Sequence, residues 1–283
     1  MDDHRWILFA DLDGTVLDKE TYEPGPSLKA LGRCGCAGIH VIFCSSKTGA
    51  EIELYHTSYV PHPGSPFIAE NGGGVFFPLD HWAQPPGGEQ KGRFWKVTLG
   101  ARHEAVFRVL TESAGRVGLR IQTFTGMAPE EIARRTGLSL EEARLAGQRD
   151  FDEPFWIEEH DQMTLKAFQE AIETEGMSLT RGGRCFHVQG ASDKGKAAAY
   201  VRQRYEQEIG NVHAAAVGDA ANDLPMFRAA DRAYLVKRAD ESHDPEIPRE
   251  KNIRFMAGVG PAGFSQAVDD LLDRTAAERS SSR

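Results

Sequence analysis

Asp11 and Asp13 stand one residue apart in Asp11-Leu12-Asp13-Gly14-Thr15, straight after the apolar run Trp6-Ile7-Leu8-Phe9-Ala10. Side chains alternate along a strand, so the two carboxylates point one way and Leu12 the other. Carboxylates that converge on one point repel each other unless a cation lies between them. Hard oxygen donors beside a phosphate suit Mg²⁺, which takes one or two carboxylates together with substrate oxygens. An acidic turn after a strand would use the same residue types, since Asp and Gly favour turns.

Three other stretches carry the same kind of chemistry. Ser45-Ser46-Lys47-Thr48 follows a second apolar run, Ile39 to Cys44. A hydroxyl and an ammonium at a helix N-terminus seat a phosphate, because the backbone N–H groups and the helix dipole favour an anion there. A plain N-cap with a solvated lysine is the alternative. Ser192-Asp193-Lys194-Gly195 opens a predicted helix, where Lys194 could neutralise a phosphoryl group or an attacking carboxylate. Lysine is otherwise mostly a surface residue. In Gly218-Asp219-Ala220-Ala221-Asn222-Asp223, Asp219 falls at a strand end and Asp223 four residues on. An N-cap role explains Asn222 without requiring both aspartates.

The elements needed to position these groups can be read around them. Residues 6 to 10 form a strand buried on both faces, as in parallel sheets. A helix follows Pro24 and Pro26 through Leu31, then a strand over 39–44. A helix over Thr48 to Tyr59 opens with Thr48 and Glu51 in capping-box spacing. Towards the end of the chain come a helix (Lys194 to Tyr205), a strand (Ala214 to Val217), a helix (Asn222 to Ala230) and a strand (Tyr234 to Val236). This alternation predicts an α/β fold whose core is one doubly wound, Rossmann-like parallel sheet. All four stretches then lie at the carboxyl ends of strands or at helix starts facing them, the edge where open α/β sheets bind ligands. One shared site accounts for them better than four unrelated turns.

Between these segments the texture changes. Residues 80 to 93, with Pro85-Pro86-Gly87-Gly88, read as a loop. Beyond it come a strand (Phe94 to Leu99), a helix (Arg102 to Arg116), a strand (Leu119 to Phe124) and a helical pair (Pro129 to Ala146). A strand near Phe155, a helix (Gln162 to Glu175) and strands around Leu179 and Phe186 complete the middle. The expected organisation is a core of residues 1–82 and 190–283 around an inserted α/β domain of residues 83–189. The tail from Ala276 is expected to be disordered.

The 283 residues are 40% hydrophobic and 27% charged, ordinary proportions for a soluble globular protein. A net charge of -9 argues against a nucleic-acid binder, which must neutralise phosphates. Nor does any apolar run approach the roughly 18 residues of a membrane span. The start, Met1 to Arg5, lacks the basic-then-apolar pattern of a secretory signal. Cys34, Cys36, Cys44 and Cys185 are too few and too irregular for a disulfide framework or a zinc quartet. A cytoplasmic protein with reduced thiols is expected.

Taken in order, Asp11-Leu12-Asp13-Gly14-Thr15, Ser45, Lys194 and Gly218-Asp219 with Asn222-Asp223 resemble the motif set of the haloacid-dehalogenase superfamily of phosphotransferases. The middle segment resembles that superfamily's mobile cap, of the C2 type placed between the second and third motifs. A narrower resemblance, over roughly residues 6 to 272, is to the mannosyl-3-phosphoglycerate phosphatases. It rests on Ser46-Lys47-Thr48, Phe67 to Gly74, Arg149 with Asp152-Glu153, and Gly182-Gly183-Arg184 followed by His187. Cys185 departs from the aromatic residue expected after Arg184.

The resemblance implies a covalent mechanism. Asp11 would attack phosphorus, Asp13 would protonate the leaving alcohol and then activate water, and Ser45 and Lys194 would bind phosphoryl oxygens. Mg²⁺ would be held by Asp11, Asp13 (through its carbonyl) and Asp219, with Asp223 and Asn222 in support. Lys47, Asn71, Gly72, Arg134, Arg149 and Arg184 would meet the rest of a small phosphorylated sugar acid, arginine being suited to a carboxylate. His187 reads as a packed strand residue. Other enzymes that share much of this pattern are phosphatases of glucosyl-3-phosphoglycerate or sucrose phosphate, and phosphomannomutases. A regulatory protein that had lost the reaction would not need Asp11, Asp13 and Lys194 together.

Overall fold

The computed structural model describes residues 5–181 and 185–281. Its core is a five-stranded parallel sheet in the order β13-β12-β11-β1-β2. The strands are β1 (Arg5–Ala10), β2 (His40–Phe43), β11 (Val212–Gly218), β12 (Arg232–Lys237) and β13 (Ile253–Val259). Five of the six residues of β1 are buried, and alternation sends them into two different cores. Trp6, Leu8 and Ala10 join Ala30 and Leu31 of α1 (Ser27–Cys36) and Phe264, Val268 and Leu271 of α9 (Gly260–Ser281). Ile7 and Phe9 face Ala197 and Val201 of α7 (Lys194–Ile209) and Phe227 of α8 (Leu224–Ala229). A strand covered by helices on both faces has no solvent side, which is why its sequence is a continuous apolar run.

Register brings the strand ends level. Ala10 pairs with Val217 on one side and with Phe43 on the other. The chain therefore leaves the sheet at Asp11, Cys44 and Asp219 along one edge. Next to β2, α2 (Gly49–Tyr59) opens on the expected capping box: the Glu51 N–H donates to Thr48 Oγ1 at 3.1 Å, and the Thr48 N–H to Glu51 Oε2 at 2.9 Å. The helix expected from Asn222 is broken in two. A short turn, Ala221–Asp223, precedes α8, and Asp223 accepts hydrogen bonds from the Asp219 and Ala220 N–H groups instead of starting a regular helix.

A second sheet, order β3-β4-β6-β5, is antiparallel and joins the first by a bridge between Cys44 and Ile68. It consists of β3 (Phe67–Ala69), β4 (Gly74–Pro78), β5 (Glu89–Lys91) and β6 (Phe94–Thr98). The strand at 94–98, expected to begin the inserted segment, pairs with β4 along its whole length. The expected loop at 80–93 likewise contains β5, an exposed polar strand with no apolar signature.

The third sheet, order β7-β8-β10-β9, forms the inserted α/β unit. Its antiparallel strands β7 (Ile121–Thr123), β8 (Asp152–Ile157), β9 (Met177–Arg181) and β10 (Phe186–Gly190) carry α3 (His103–Val117) and α6 (Gln162–Thr174). Val106, Leu110, Phe155, Phe168 and Val188 form their common core. The helical pair α4 (Pro129–Thr136) and α5 (Leu140–Ala146) packs separately around Phe124, Ile132 and Ala143. The tail also differs from expectation. Residues 276 to 281 continue α9, whose apolar positions Phe264, Val268 and Leu271 recur at helical spacing against β1, and Arg232 of β12 pairs with Glu278.

Candidate active site

The aligned strand ends gather the predicted acidic groups around one lysine. Lys194, the first residue of α7, has a side chain with no solvent contact; its Nζ lies 2.6 Å from Asp11 Oδ1 and 2.7 Å from Asp223 Oδ1. Burial alone favours the neutral amine, but the attraction of these two carboxylates holds the Lys194 pKa well above its usual value. The other Asp223 oxygen accepts from the N–H groups of Asp219 at 3.0 Å and Ala220 at 3.1 Å. Asp223 is thus fully engaged within the protein, and it fixes both Lys194 and the turn that carries Asp219. Asp11 keeps its second oxygen within 3.3 Å of Thr15 Oγ1, which donates to it.

Oxygens of Asp11, Asp219 and Asp223 lie within 4.8 Å of one another. Burial pushes the Asp11 carboxyl up to about 6 against the pull of Lys194. Burial, and after it the Asp11 charge, pushes Asp219 up to about 8. Three buried acids with one fully shared ammonium form a site short of positive charge. All its donors are hard oxygens, the set that fits Mg²⁺.

Asp13 is held differently. Lys47 Nζ lies 3.2 Å from Asp13 Oδ1 and 3.6 Å from Glu51 Oε1, and sits over the Tyr22 ring at 4.7 Å. Lys47 is nearly buried, and the charges of Asp13 and Glu51 outweigh that burial to raise its pKa. The Asp13 carbonyl accepts from Lys19 Nζ at 3.2 Å. Ser45 is buried at the end of β2, and its Oγ accepts from the Lys47 N–H at 3.2 Å.

The loop after β3 closes the site from below. Asn71 has φ +52°, and its Oδ1 accepts from Asn222 Nδ2 at 3.2 Å. Gly72 has φ +93°, and a Cβ there would lie 2.2 Å from the Asp193 carbonyl oxygen. Only glycine allows this loop to pass so near the start of α7.

A cavity of about 250 Å³ opens over these groups. Asp11, Asp13, Lys19, Asn71 and Asp219 line it from the core, and Thr180, Arg181 and His187 line it from β9 and β10. A larger cavity of about 570 Å³ lies at the opposite sheet edge, among Trp6, His40, Trp82 and Tyr205, away from the carboxylates.

The predicted arginines part company. Arg134 is largely exposed on α4 and engages Glu131 with two bonds of 2.6 and 2.7 Å, outside the cavity. Arg149 is nearly buried and reaches the core: its Nη1 donates to the Ser46 carbonyl at 2.9 Å and to Asp152 Oδ1 at 2.8 Å, and its Nε to the Ala146 carbonyl at 2.8 Å. Arg184 lies outside the described residues. Sequence reasoning passed over Lys19, Thr180 and Arg181, which carry no motif, and treated His187 as core. The pairing of β10 with β8 and β9 is what turns Thr180, Arg181 and His187 towards the acids, while Lys19 lies in the loop between β1 and α1.

The chain is similar to several known proteins. A model of the haloacid dehalogenase-like hydrolases matches residues 157–244. A glucosyl-3-phosphoglycerate/mannosyl-3-phosphoglycerate phosphatase of Methanococcoides burtonii is 36% identical over 271 residues, 95% of this chain and 98% of its own. A mannosyl-3-phosphoglycerate phosphatase of Pyrococcus horikoshii is 33% identical over 230 residues, 81% of this chain and 90% of its own. Among solved structures, a sugar phosphatase of subclass IIB of the same superfamily superposes with a TM-score of 0.62 at 16% identity, covering 94% of this chain and 98% of that one. A Thermoplasma acidophilum protein superposes with a TM-score of 0.64 at 16% identity, covering 94% and 98%. The chain therefore belongs to the haloacid dehalogenase-like hydrolases, among the phosphatases of that family.

Proposed function

We propose that this phosphatase hydrolyses a phosphorylated sugar acid, mannosyl-3-phosphoglycerate first, by passing the phosphoryl group through Asp11. The observation that carries the reading is the position of Lys194, buried between Asp11 and Asp223. An anionic nucleophile must approach an anionic phosphate. At 4 Å two unit charges repel by about 1 kcal/mol in water and about 4 kcal/mol at an effective dielectric near 20. Lys194 offsets that repulsion at the attacking oxygen itself, and it keeps Asp11 aimed out of the sheet.

Asp11, Asp219 and the Asp13 carbonyl would hold Mg²⁺, which when bound supplies positive charge to the phosphoryl oxygens. Asp11 attacks phosphorus, and the bond to the substrate alcohol breaks. Asp13 gives its proton to the departing alkoxide and takes one from the water that then releases phosphate from Asp11. Lys47, 3.2 Å from Asp13, holds that carboxyl in place between the two steps. Ser45 sets the backbone of the Lys47 turn. Asn71 and Gly72 shape the floor, and Asn222 keeps Asn71 in position. Thr180, Arg181 and His187 face the remainder of the substrate from the inserted domain.

We place the division between core and cap near Leu99–Ala101 and near Gly190, because β5 and β6 belong to the sheet of β4. The two connections touch there, since a Cβ on Gly190 would lie 2.5 Å from the Ala101 nitrogen. A cytoplasmic location belongs to the same proposal. No described helix is long and apolar enough to cross a membrane.

Glucosyl-3-phosphoglycerate is the second candidate substrate, because the Methanococcoides burtonii relative is named for both compounds. The test is phosphate release from both compounds, sucrose 6-phosphate, mannose 6-phosphate and free 3-phosphoglycerate, with Mg²⁺ or EDTA. Preference for mannosyl-3-phosphoglycerate, lost in EDTA and reduced by on the order of 10³-fold or more in Asp11→Asn, is the expected result. Preference for another compound would discard the substrate and keep the chemistry. Unchanged release by Asp11→Asn would discard the chemistry.

A further inference from the structure

The cap side of the site carries a second chemical constellation, centred on a sulfur that the phosphatase reaction does not use. Cys185 Sγ lies 3.4 Å from His187 Nε2. The other nitrogen of that ring, Nδ1, lies 2.8 Å from Asp152 Oδ2. Asp152 has no solvent contact, and its remaining oxygen is held by Arg149 at 2.8 Å, so the carboxylate is fixed in the orientation that holds the ring. Sulfur, imidazole and carboxylate thus stand in series, the order of a nucleophile, its base and the group that orients the base. Burial opposes charge on His187, but Asp152 and the sulfur outweigh it and push its pKa up to about 10. Asp152 thus fixes the ring with its other nitrogen facing the sulfur.

Access separates Cys185 from two of the other three cysteines. Cys34 and Cys44 are buried. Burial raises the Cys34 thiol to about 12 and the Cys44 thiol further still. Cys36 is exposed at the last position of α1. Cys185 is half-buried and lines a cavity of about 370 Å³ that it shares with Asp13, Ser46, Lys47, Arg149 and His187. A small reagent in that cavity meets the sulfur, and a group attached there occupies the space in front of Ser46 and Asp13.

We propose that Cys185, with His187 and Asp152, is a nucleophilic modification site that takes the disulfide of a small thiol and closes the phosphatase site when modified. The sulfur attacks one sulfur of the disulfide. The new bond to Cys185 forms as the old S–S bond breaks, and the departing sulfur leaves with the electron pair and takes up the proton that Cys185 gave up. The disulfide is the only co-reactant, and excess thiol reverses the exchange.

The test treats the Mg²⁺-loaded enzyme with oxidised glutathione. Adduct at each cysteine is followed by mass spectrometry, and phosphate release is measured in parallel. Cys185 is expected to react on the order of ten-fold faster than exposed Cys36, because its sulfur lies 3.4 Å from a ring that Asp152 orients and lines a cavity that holds the reagent against it. Phosphate release should fall in step with the Cys185 adduct and return with dithiothreitol. Cys185→Ser, normalised to its own untreated activity, should resist the treatment. In His187→Gln the Cys185 rate should drop to that of Cys36, with Cys34 and Cys44 still unlabelled as a check that the chain is folded. Iodoacetamide labelling of the unaltered enzyme gives the same Cys185 to Cys36 ratio without any variant. Equal or faster reaction at Cys36 would overturn the proposal, as would full Cys185 modification with no loss of phosphate release. Equal inactivation of Cys185→Ser would overturn it as well.

Discussion

Lys194 is the residue on which the core site turns. Its one ammonium is shared between Asp11 and Asp223, and its side chain has no solvent contact. Removing one partner of a buried ion pair leaves an uncompensated charge and typically costs about 3–5 kcal/mol. Lys194→Met should therefore lower stability by about that much in urea titrations with EDTA present, and should reduce phosphate release by on the order of 10³-fold. Adding Asp223→Asn should recover part of the stability and none of the activity, since Asp11 still lacks its cation. An additive double mutant would show that the three groups are not coupled as drawn. Asp11, Lys194 and Asp219 could be singled out from sequence because each sits where an apolar run ends or a helix begins. The fate of the arginines could not. Arg149 and Arg134 look alike in sequence, yet one is tied to the Ser46 carbonyl and Asp152 and the other to an exposed Glu131.

At the scale of elements, several contacts fasten the inserted domain to the core, and Glu70 supplies most of the backbone ones. Glu70, with no solvent exposure at the end of β3, accepts the N–H groups of Asp150, Phe151 and Asp152 at 2.8 to 3.2 Å. Thr48 adds a bond from its Oγ1 to the Leu145 carbonyl at 3.0 Å, and Arg149 adds the bond to Ser46. The start of β8, and through its pairing β10 with His187, is thereby set against the phosphate end of the core. Glu70→Ala would leave three buried backbone donors unsatisfied, each costing about 1–3 kcal/mol. The expected outcome is a loss of about 3 kcal/mol or more in urea titration, with hydrogen exchange accelerated first at 150 to 157. Acceleration spread evenly over the chain would mean that Glu70 serves the core as a whole. The same stretch shows where sequence reading fell short. Phe67 to Gly74 carries a motif but no separate sign of the β3–β4 hairpin built on it, and the strand expected over 94–99 within the inserted segment pairs with β4. Strand pairing is non-local, and nothing in the run Phe94 to Thr98 says which partner it takes. The helix α2, whose cap is local, was readable to within a residue.

The balance of charge in the whole molecule gives a dependence on pH and metal that can be worked out in sign. Burial raises the Asp11 carboxyl to about 6 and Asp219 to about 8, and burial with the Asp152 charge raises Glu70 to about 8, against an unfolded value of about 4. Between those limits these three acids bind more protons in the folded, metal-free protein than in the unfolded chain, so their contribution to stability falls as pH rises from about 4 to about 8. His40, which burial lowers to about 4, and His56 and His62, which burial also lowers, act in the opposite sense below about 6.5. Asp152, lowered to about 2 by Arg149 and His187 despite its burial, acts in the opposite sense, but its contribution is lost only as pH falls below about 4. His187, raised to about 10, contributes stability that is present below about 6.5 and lost as pH rises through 10, which steepens the fall on the alkaline side. Bound metal is expected to reverse the trend. Mg²⁺ binding requires Asp11 and Asp219 to give up their protons, so the affinity should weaken as pH drops below about 8. A hundred-fold excess over Kd adds about 2.7 kcal/mol. Urea midpoints measured from about pH 6.5 to about pH 8, above the range in which the lowered histidines titrate, should therefore decline in EDTA and diverge from the Mg²⁺ series as pH rises. Asp219→Asn should flatten the EDTA series, because it removes the most strongly raised of the metal-site acids. An EDTA series that rises over this range would mean that the acids are ionised in the folded protein without metal, and that Lys194, Lys19 and Lys47 already supply the charge assigned here to Mg²⁺.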